Sequence, residues 1–231
     1  MGKTDSQAIG VRVPATNRRT VLLAGASGLV GQEILHLLLA DSTCTAVHTV
    51  GRRVMELSSP KLTQHLSDLR ALPALPQLTE AYIALGTTIR VAGSQAAFRA
   101  VDFDAFVAVA RAARSSGATK LGVVSAMGAD ARSAVFYSRV KGEMEQALQT
   151  LGFDVLVFAR PALITGDRAA LAQPQRMGES LGLRAMRFLK PVTPKNYQPV
   201  TAANVGAALL TAVQTMPHGV HVVLSGKMQA N

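Results

Sequence analysis

Three glycines in seven residues, Gly25-Ala-Ser-Gly28-Leu-Val-Gly31, stand where the apolar run Thr20–Ala24 gives way to an apolar helical pattern. Gly25 permits a tight turn, Gly28 lets the backbone approach a pyrophosphate with no Cβ in the way, and Gly31 packs the helix close to the strand. The amides from Ser27 through Leu29 and Val30 then meet the anion at the positive end of the helix. The chemistry is dinucleotide binding; the plainer alternative is an ordinary glycine turn. About 20 residues further on, an NAD site carries Asp or Glu for the adenosine ribose hydroxyl, but this chain reads Gly51-Arg52-Arg53, and Glu56 lies too far past the strand end to serve. Two guanidiniums can pair with a 2′-phosphate that a carboxylate would repel. That points to NADP(H); two solvated loop arginines are the alternative. A third constellation is Tyr137 and Lys141, four apart and therefore on one face of a helix. A neighbouring ammonium stabilises a phenolate, which proton transfer by a phenol requires, although such a pair occurs by chance in many helices.

These residues need a scaffold, and from Thr20 short runs rich in Val, Leu and Ile alternate with helical periodicity, the pattern of βαβ units around a parallel sheet. The fold class expected is α/β, a Rossmann-type doubly wound, mainly parallel sheet with a small C-terminal substrate-side appendage. Strands are expected near Thr20–Ala24, Ala46–Val50, Thr63–Leu66, Ala81–Leu85, Lys120–Ser125, Val155–Ala159 and His221–Leu224. Helices are expected near Leu29–Leu39, Phe103–Arg114, Tyr137–Leu151 and Ala202–Gln214. Residues 1–19 read as a flexible leader and 20–231 as one domain. Within it 161–199, punctuated by Pro161, Pro174, Pro191, Pro194 and Pro199, forms a substrate-side segment with a short amphipathic helix over Glu179–Leu189 and adaptable methionines at Met177 and Met186.

Composition bounds the rest. With 231 residues and 48% hydrophobic content the chain can bury a full core. No apolar stretch reaches the roughly 18 residues a membrane span needs. The lone Cys44 excludes an internal disulfide, no Cys/His set has metal-ligand spacing, and residues 1–19 lack a signal-peptide core, so a cytoplasmic protein without metal is expected. The opening Met-Gly-Lys-Thr-Asp-Ser matches the loose myristoylation pattern, which is common by chance. A formal charge of +10 attracts phosphates of every kind. The basic residues are dispersed, without a nucleic-acid motif, so anionic small ligands are expected and specific nucleic-acid binding is not. His36, His48 and His65 read as structural or surface residues.

Further residues make the chain resemble the short-chain dehydrogenase/reductases. Asp68-Leu69 follows the third strand, Leu85-Gly86-Thr87-Thr88 ends the fourth, and Ser125 precedes Tyr137-Ser-Arg-Val-Lys141 by 12 residues. The ordered set Gly25-Ala-Ser-Gly28, Gly51-Arg-Arg53, Leu85-Gly-Thr-Thr88, Val101-Asp-Phe-Asp104, Gly128-Ala-Asp130, Val140-Lys-Gly-Glu143 and Arg160-Pro161 is similar to the atypical branch typified by the HIV Tat-interacting oxidoreductase and its bacterial relatives. It covers about residues 20 to 168 and thins beyond.

The resemblance implies that Asp68 and Leu69 meet the adenine, and that Leu85, Gly86 and Thr87 lie beside the nicotinamide ribose. It makes Tyr137 the acid/base, with Lys141 tuning it and holding the ribose, and Ser125 a hydrogen-bonding partner of the substrate carbonyl. Pro161 and Ile164 fall beside the nicotinamide, and Arg176 near the cofactor phosphates. Asp102 departs from the pattern, because many members carry an asparagine there, which puts the usual proton relay in question. An NADP(H)-dependent oxidoreductase for a small carbonyl or hydroxyl substrate is the leading expectation. The alternatives are an NADP(H)-binding sensor or scaffold acting through a protein partner, and an NAD-dependent epimerase or dehydratase. A protein partner or a second copy of the chain is the further partner expected.

Overall fold

The computed structural model describes residues 18–69, 71–166 and 194–229. Seven strands form one parallel sheet in the order β3-β2-β1-β4-β5-β6-β9: β1 (Arg19–Ala24), β2 (Cys44–Gly51), β3 (Leu62–Leu66), β4 (Glu80–Ile83), β5 (Lys120–Val124), β6 (Val155–Arg160) and β9 (Gly219–Leu224). Two short strands, β7 (Ile164–Thr165) and β8 (Val200–Thr201), pair in parallel beside it. The helices are α1 (Leu29–Ala40), α2 (Ile89–Ala92), α3 (Gln95–Arg99), α4 (Ala105–Ser115), α5 (Phe136–Gln149) and α6 (Ala202–Thr215). This is the doubly wound α/β architecture expected from the alternating pattern.

Strand alternation builds the layers. Val21 and Leu23 belong to a core with Ile34, Leu35 and Leu38 of α1 and Val205 and Leu209 of α6. Leu22 and Ala24, facing the opposite way, belong to a second core with Phe106 and Val109 of α4 and Met144 and Leu148 of α5. Because helices cover both faces, the central strands are apolar on both sides, which explains their continuous hydrophobic runs. Strand order reverses between β1 and β4, and ligands of open α/β sheets bind at the carboxyl edge of such a switch point.

At the opposite edge Arg19 opens β1 one residue before the expected Thr20, and its guanidinium meets Glu80 and Asp41, each at 2.5 Å. Glu80 is buried and also accepts from Gln214 of α6. Burial opposes the Arg19 charge, but Glu80, Tyr82 and Asp41 together outweigh it and hold the guanidinium above its usual range. This cluster pins the β1, β4 and α6 ends far from the glycine turn.

Two differences from the expected elements matter for the site. The expected helix Phe103–Arg114 is entered much earlier: Ser94 caps α3 by accepting from Ala97 N at 3.0 Å, and a π-helical turn, Ala100–Asp104, leads into α4. Such wide turns recur at functional sites because they re-aim a side chain. The expected strand Ala81–Leu85 ends at Ile83, leaving Leu85, Gly86 and Thr87 in a loop. The helix over Glu179–Leu189, Arg176, Met177, Met186 and residues 1–17 of the leader lie outside the described residues.

Candidate functional site

The turn after β1 has the form its glycines suggest. Gly25 has φ +87, and a Cβ there would lie 2.5 Å from Ala84 O on the neighbouring β4 chain. A Cβ on Gly31 would lie 2.0 Å from Gly25 O, so this position must be glycine for α1 to start where it does. Gly28 differs. Its amide donates to Gly25 O at 3.0 Å, and a Cβ would approach Gly25 O at 3.3 Å and Ala84 O at 3.8 Å. The protein's own packing therefore forbids a side chain at Gly25 and Gly31 and only crowds one at Gly28. Bare backbone at that third position fits close approach of a ligand, and α1 has no acidic residue in its first turn to compete with an anion.

A cleft runs from this turn towards the ends of β2 and β3, lined by Gly25 and Ser27 of the turn, Gly51 at the end of β2, Arg53 after it, and Gln64 and His65 of β3. No carboxylate lines it. The Gln64 side chain braces the arginine-bearing connection: its Oε1 accepts from Met55 N at 2.8 Å, and its Nε2 donates to Met55 O and Leu57 O at 3.0 and 3.1 Å. Arg52 and Arg53 are both exposed, and Arg53 lines the cleft. Past β3, Asp68 is exposed and Leu69 is buried with φ +68, the one non-glycine residue in the left-handed region among those described. Its amide donates to Ser67 Oγ at 3.0 Å. A bulky residue seldom adopts this conformation, and such strain concentrates at binding sites.

Across the switch point two buried carboxylates organise the other half. Asp102, fully buried on the π turn, accepts from Thr87 N at Oδ2, 3.0 Å, and lies 2.8 Å from Lys141 Nζ through Oδ1. The ammonium meets Oδ1 outside hydrogen-bonding direction, so this is a charge contact. Lys141 also sits 4.7 Å above the Phe106 ring. The position where an asparagine was expected therefore holds an acid paired directly with the lysine and tied to the loop after β4. Tyr137 is half-buried one turn before Lys141, its ring 5.5 Å from Phe98 of α3.

The second carboxylate, Glu145, lies one turn beyond Lys141 and is also buried. Its Oε1 accepts from Ser125 Oγ at 2.5 Å and from Arg160 Nε at 3.0 Å, and its Oε2 from Arg160 Nη2 at 2.5 Å. That hydrogen bonding, against a smaller opposing effect of burial, raises the Arg160 guanidinium above its usual range. Among the described residues no hydrogen bond joins Ser125 to Tyr137. Pro161 accepts from Met127 N at 3.0 Å, Ile164 lies on β7, and a Cβ on Gly166 would come within 3.2 Å of Leu29 at the start of α1. The chain after β6 thus returns to the start of α1 beside the glycine turn.

Sequence reasoning named Tyr137, Lys141 and Ser125 but missed Glu145. The signal was present: Tyr137, Lys141 and Glu145 recur at a spacing of four, and Glu145 interrupts the buried run Val140, Met144 and Leu148. Among the described residues no cluster of His, Cys, Asp and Glu could hold a metal ion, and no helix is long and apolar enough to cross a membrane.

No family model matches the chain. It is 36% identical over 160 residues to the mitochondrial protein fmp52 of Emericella nidulans, spanning 64% of this chain and 68% of that one. It is 29% identical over 232 residues to the mitochondrial FMP52 of Coccidioides immitis, spanning 90% and 94% of the two. Among solved structures it is similar to MoeE5 in complex with UDP-glucose and NAD, with TM-score 0.67 and 17% identity over 88% of this chain and 75% of that one, a likeness of fold. The relatives' names overturn the cytoplasmic expectation, since they are mitochondrial proteins. A single buried cysteine argues only against disulfides, and that does not separate one reducing compartment from another.

Proposed function

The chain belongs to the FMP52 family, and from that premise we propose that it is an NADP(H)-dependent oxidoreductase of the short-chain dehydrogenase type acting on a small carbonyl or hydroxyl compound. One observation carries the reading. A single sheet edge bears the glycine turn with its acid-free, Arg53-lined cleft on one side and the Tyr137–Lys141 face of α5 on the other.

In this reading the pyrophosphate rests on the backbone from Gly25 to Gly31, the 2′-phosphate between Arg52 and Arg53, and the adenine against Asp68 and Leu69. Leu85, Gly86, Thr87 and Lys141 hold the nicotinamide ribose, and Pro161 and Ile164 flank the nicotinamide, which supplies or takes the hydride when bound. Tyr137 gives or takes the proton at the substrate oxygen. Lys141 keeps one flank of its ammonium against Asp102 and turns the remaining N–H groups to the ribose.

Ser125 works in the opposite sense to the one its sequence suggests. Glu145, clamped by Arg160, is an ionised acceptor, so the single hydroxyl proton of Ser125 points to it. Ser125 Oγ then offers lone pairs, accepting from the Tyr137 phenol or a substrate hydroxyl, and Tyr137 is the proton donor for a carbonyl. The test is turnover of NADPH with a panel of aldehydes, ketones and quinones, repeated in Tyr137→Phe. Loss of the phenol should slow turnover roughly 100-fold to 10,000-fold while NADPH affinity changes little. Unchanged turnover removes Tyr137 from the chemistry.

A second reading has an observation of its own. Both the Ser125 proton and one side of the Lys141 ammonium are already taken by buried carboxylates, an arrangement that suits an NADP(H) sensor or scaffold acting through a protein partner, for which Tyr137 is dispensable. The motif likeness to the Tat-interacting branch belongs with this reading. An NAD-dependent epimerase is disfavoured by the arginines and the lack of a carboxylate in the cleft. With the relatives named as mitochondrial, that compartment is where substrate and partner are to be sought.

A further inference from the structure

The cofactor cleft contains a second kind of base. His65, near the end of β3, lines it with Arg53. His65 Nε2 lies 3.1 Å from Nδ1 of His48 on β2, and the two rings stack with centroids 5.4 Å apart. At that separation one ring donates and the other accepts, so a single proton sits between them and His65 keeps Nδ1 for another partner. One added proton turns the pair into an imidazole–imidazolium with an N–H on each outer nitrogen and one positive charge beside Arg53.

The surroundings decide when that proton is taken. On the β2–β3 connection the charged groups are Arg52, Arg53, Glu56 and Lys61, and after β3 come Asp68 and Arg70. Among the described residues of this set only Arg53 lines the cleft. The Lys61 ammonium is turned away onto Leu39 O and Asp41 O, at 3.0 and 2.7 Å. From β1 the residue in register with His48 is the apolar Leu22. With Arg53 as neighbour and no carboxylate in the cleft, a positive charge on the pair is opposed until an anion arrives, and a dianionic phosphate beside Arg53 reverses the balance. Burial, then the charge on His65, holds His48 below the usual histidine range, so the pair takes one proton and not two.

We propose that His65 is a specificity-determining residue of the cofactor cleft: the His48–His65 pair takes up one proton when the adenosine 2′-phosphate binds beside Arg53, so that selection of NADP(H) over NAD(H) weakens as the pH rises above neutrality. The inference rests on the NADP(H) reading above. The hydrogen bond between the rings fixes His65 against β2, and the added N–H donates to the phosphate.

The experiment is calorimetric titration of the full chain with adenosine 2′,5′-bisphosphate, and with AMP as the ligand lacking the 2′-phosphate. It is run at about pH 6.5 and about pH 8.5, in buffers of different ionisation enthalpy. Over this window the phosphate, with its second pKa near 6, is mainly dianionic, so its own titration releases protons on binding and cannot mimic uptake. The wild type should take up protons with the bisphosphate and none with AMP, and its preference for the bisphosphate should fall severalfold across the window. His65→Gln should bind without uptake and with a preference that no longer depends on pH. Discrimination by the wild type without proton uptake, or uptake retained in His65→Gln, overturns the inference and leaves the NADP(H) reading standing. Equal binding of the two ligands at both pH values overturns both. If His65→Gln does not fold, the histidine C–H resonances of the wild type decide the matter: one must titrate at higher pH with the bisphosphate bound, and no change contradicts the proposal.

Discussion

Ser125 Oγ lies 2.5 Å from Glu145 Oε1, and Glu145 is held through both oxygens by Arg160. Ser125 directly follows β5, while Glu145 and Arg160 come from α5 and β6, so the end of the serine strand is fixed by a charge pair that bridges two other elements. Removing either charge leaves the other without its partner in a mostly buried place, whereas removing the serine hydroxyl leaves the pair intact. Ser125→Ala should therefore cost about 1.5 to 3 kcal/mol of stability, Glu145→Gln about 3 to 5, and Glu145→Ala more than Glu145→Gln. Urea unfolding gives the order, and a Ser125→Ala cost equal to or above that of Glu145→Gln would show that the serine, not the ion pair, holds this corner.

Lys141 and Asp102 are both buried, with side chains 3% and 1% exposed. A buried pair is costly to break from one side. Asp102→Asn and Lys141→Met should each destabilise by about 3 to 5 kcal/mol, while the double variant should cost clearly less than their sum because no unpaired charge remains. Additive costs in the unfolding cycle would mean that the two groups do not interact. Asp102→Asn should also loosen Thr87, whose amide has Asp102 Oδ2 as its acceptor.

The glycines separate fold from function. Gly31→Ala places a Cβ 2.0 Å from Gly25 O and should unfold or severely destabilise the chain. A Cβ at Gly28 meets its nearest backbone atom at 3.3 Å, so Gly28→Val should fold with a smaller loss than Gly31→Ala, and its branched side chain should fill the space the pyrophosphate enters and abolish dinucleotide binding. Circular dichroism and NADPH titration on the same samples check both. A folded Gly28→Val that binds NADPH normally shows that the turn does not carry the phosphates.

What the sequence disclosed follows the range of its signals. The β1–turn–α1 unit was legible because its cause is local: an apolar run, glycines at a fixed spacing and an apolar helix. The alternation of strands and helices was legible for the same reason. The helical segment from Gln95 to Asp104 was not, since it is short, depends on a serine cap at Ser94, and passes through a π turn with no periodic signature. The Glu145–Ser125 and Asp102–Lys141 contacts join residues 20 and 39 positions apart, and no spacing rule connects them. Asp102 was noticed as a departure from a motif, but only the folded chain gives it Lys141 and Thr87 as partners. The compartment was misjudged because cysteine content reports redox conditions and not an organelle.

The central claim is that this sheet edge selects NADP(H), and titration of the purified chain with NADPH and NADH tests it most directly. The account predicts tighter binding of NADPH, with each well-ordered arginine–phosphate contact contributing about 1.5 to 3 kcal/mol. The advantage should shrink in Arg52→Ala and Arg53→Ala, and more in Arg53→Ala, because Arg53 lines the cleft and Arg52 does not. Equal affinity for the two cofactors in the wild-type chain, or an advantage that survives loss of both arginines, would contradict it.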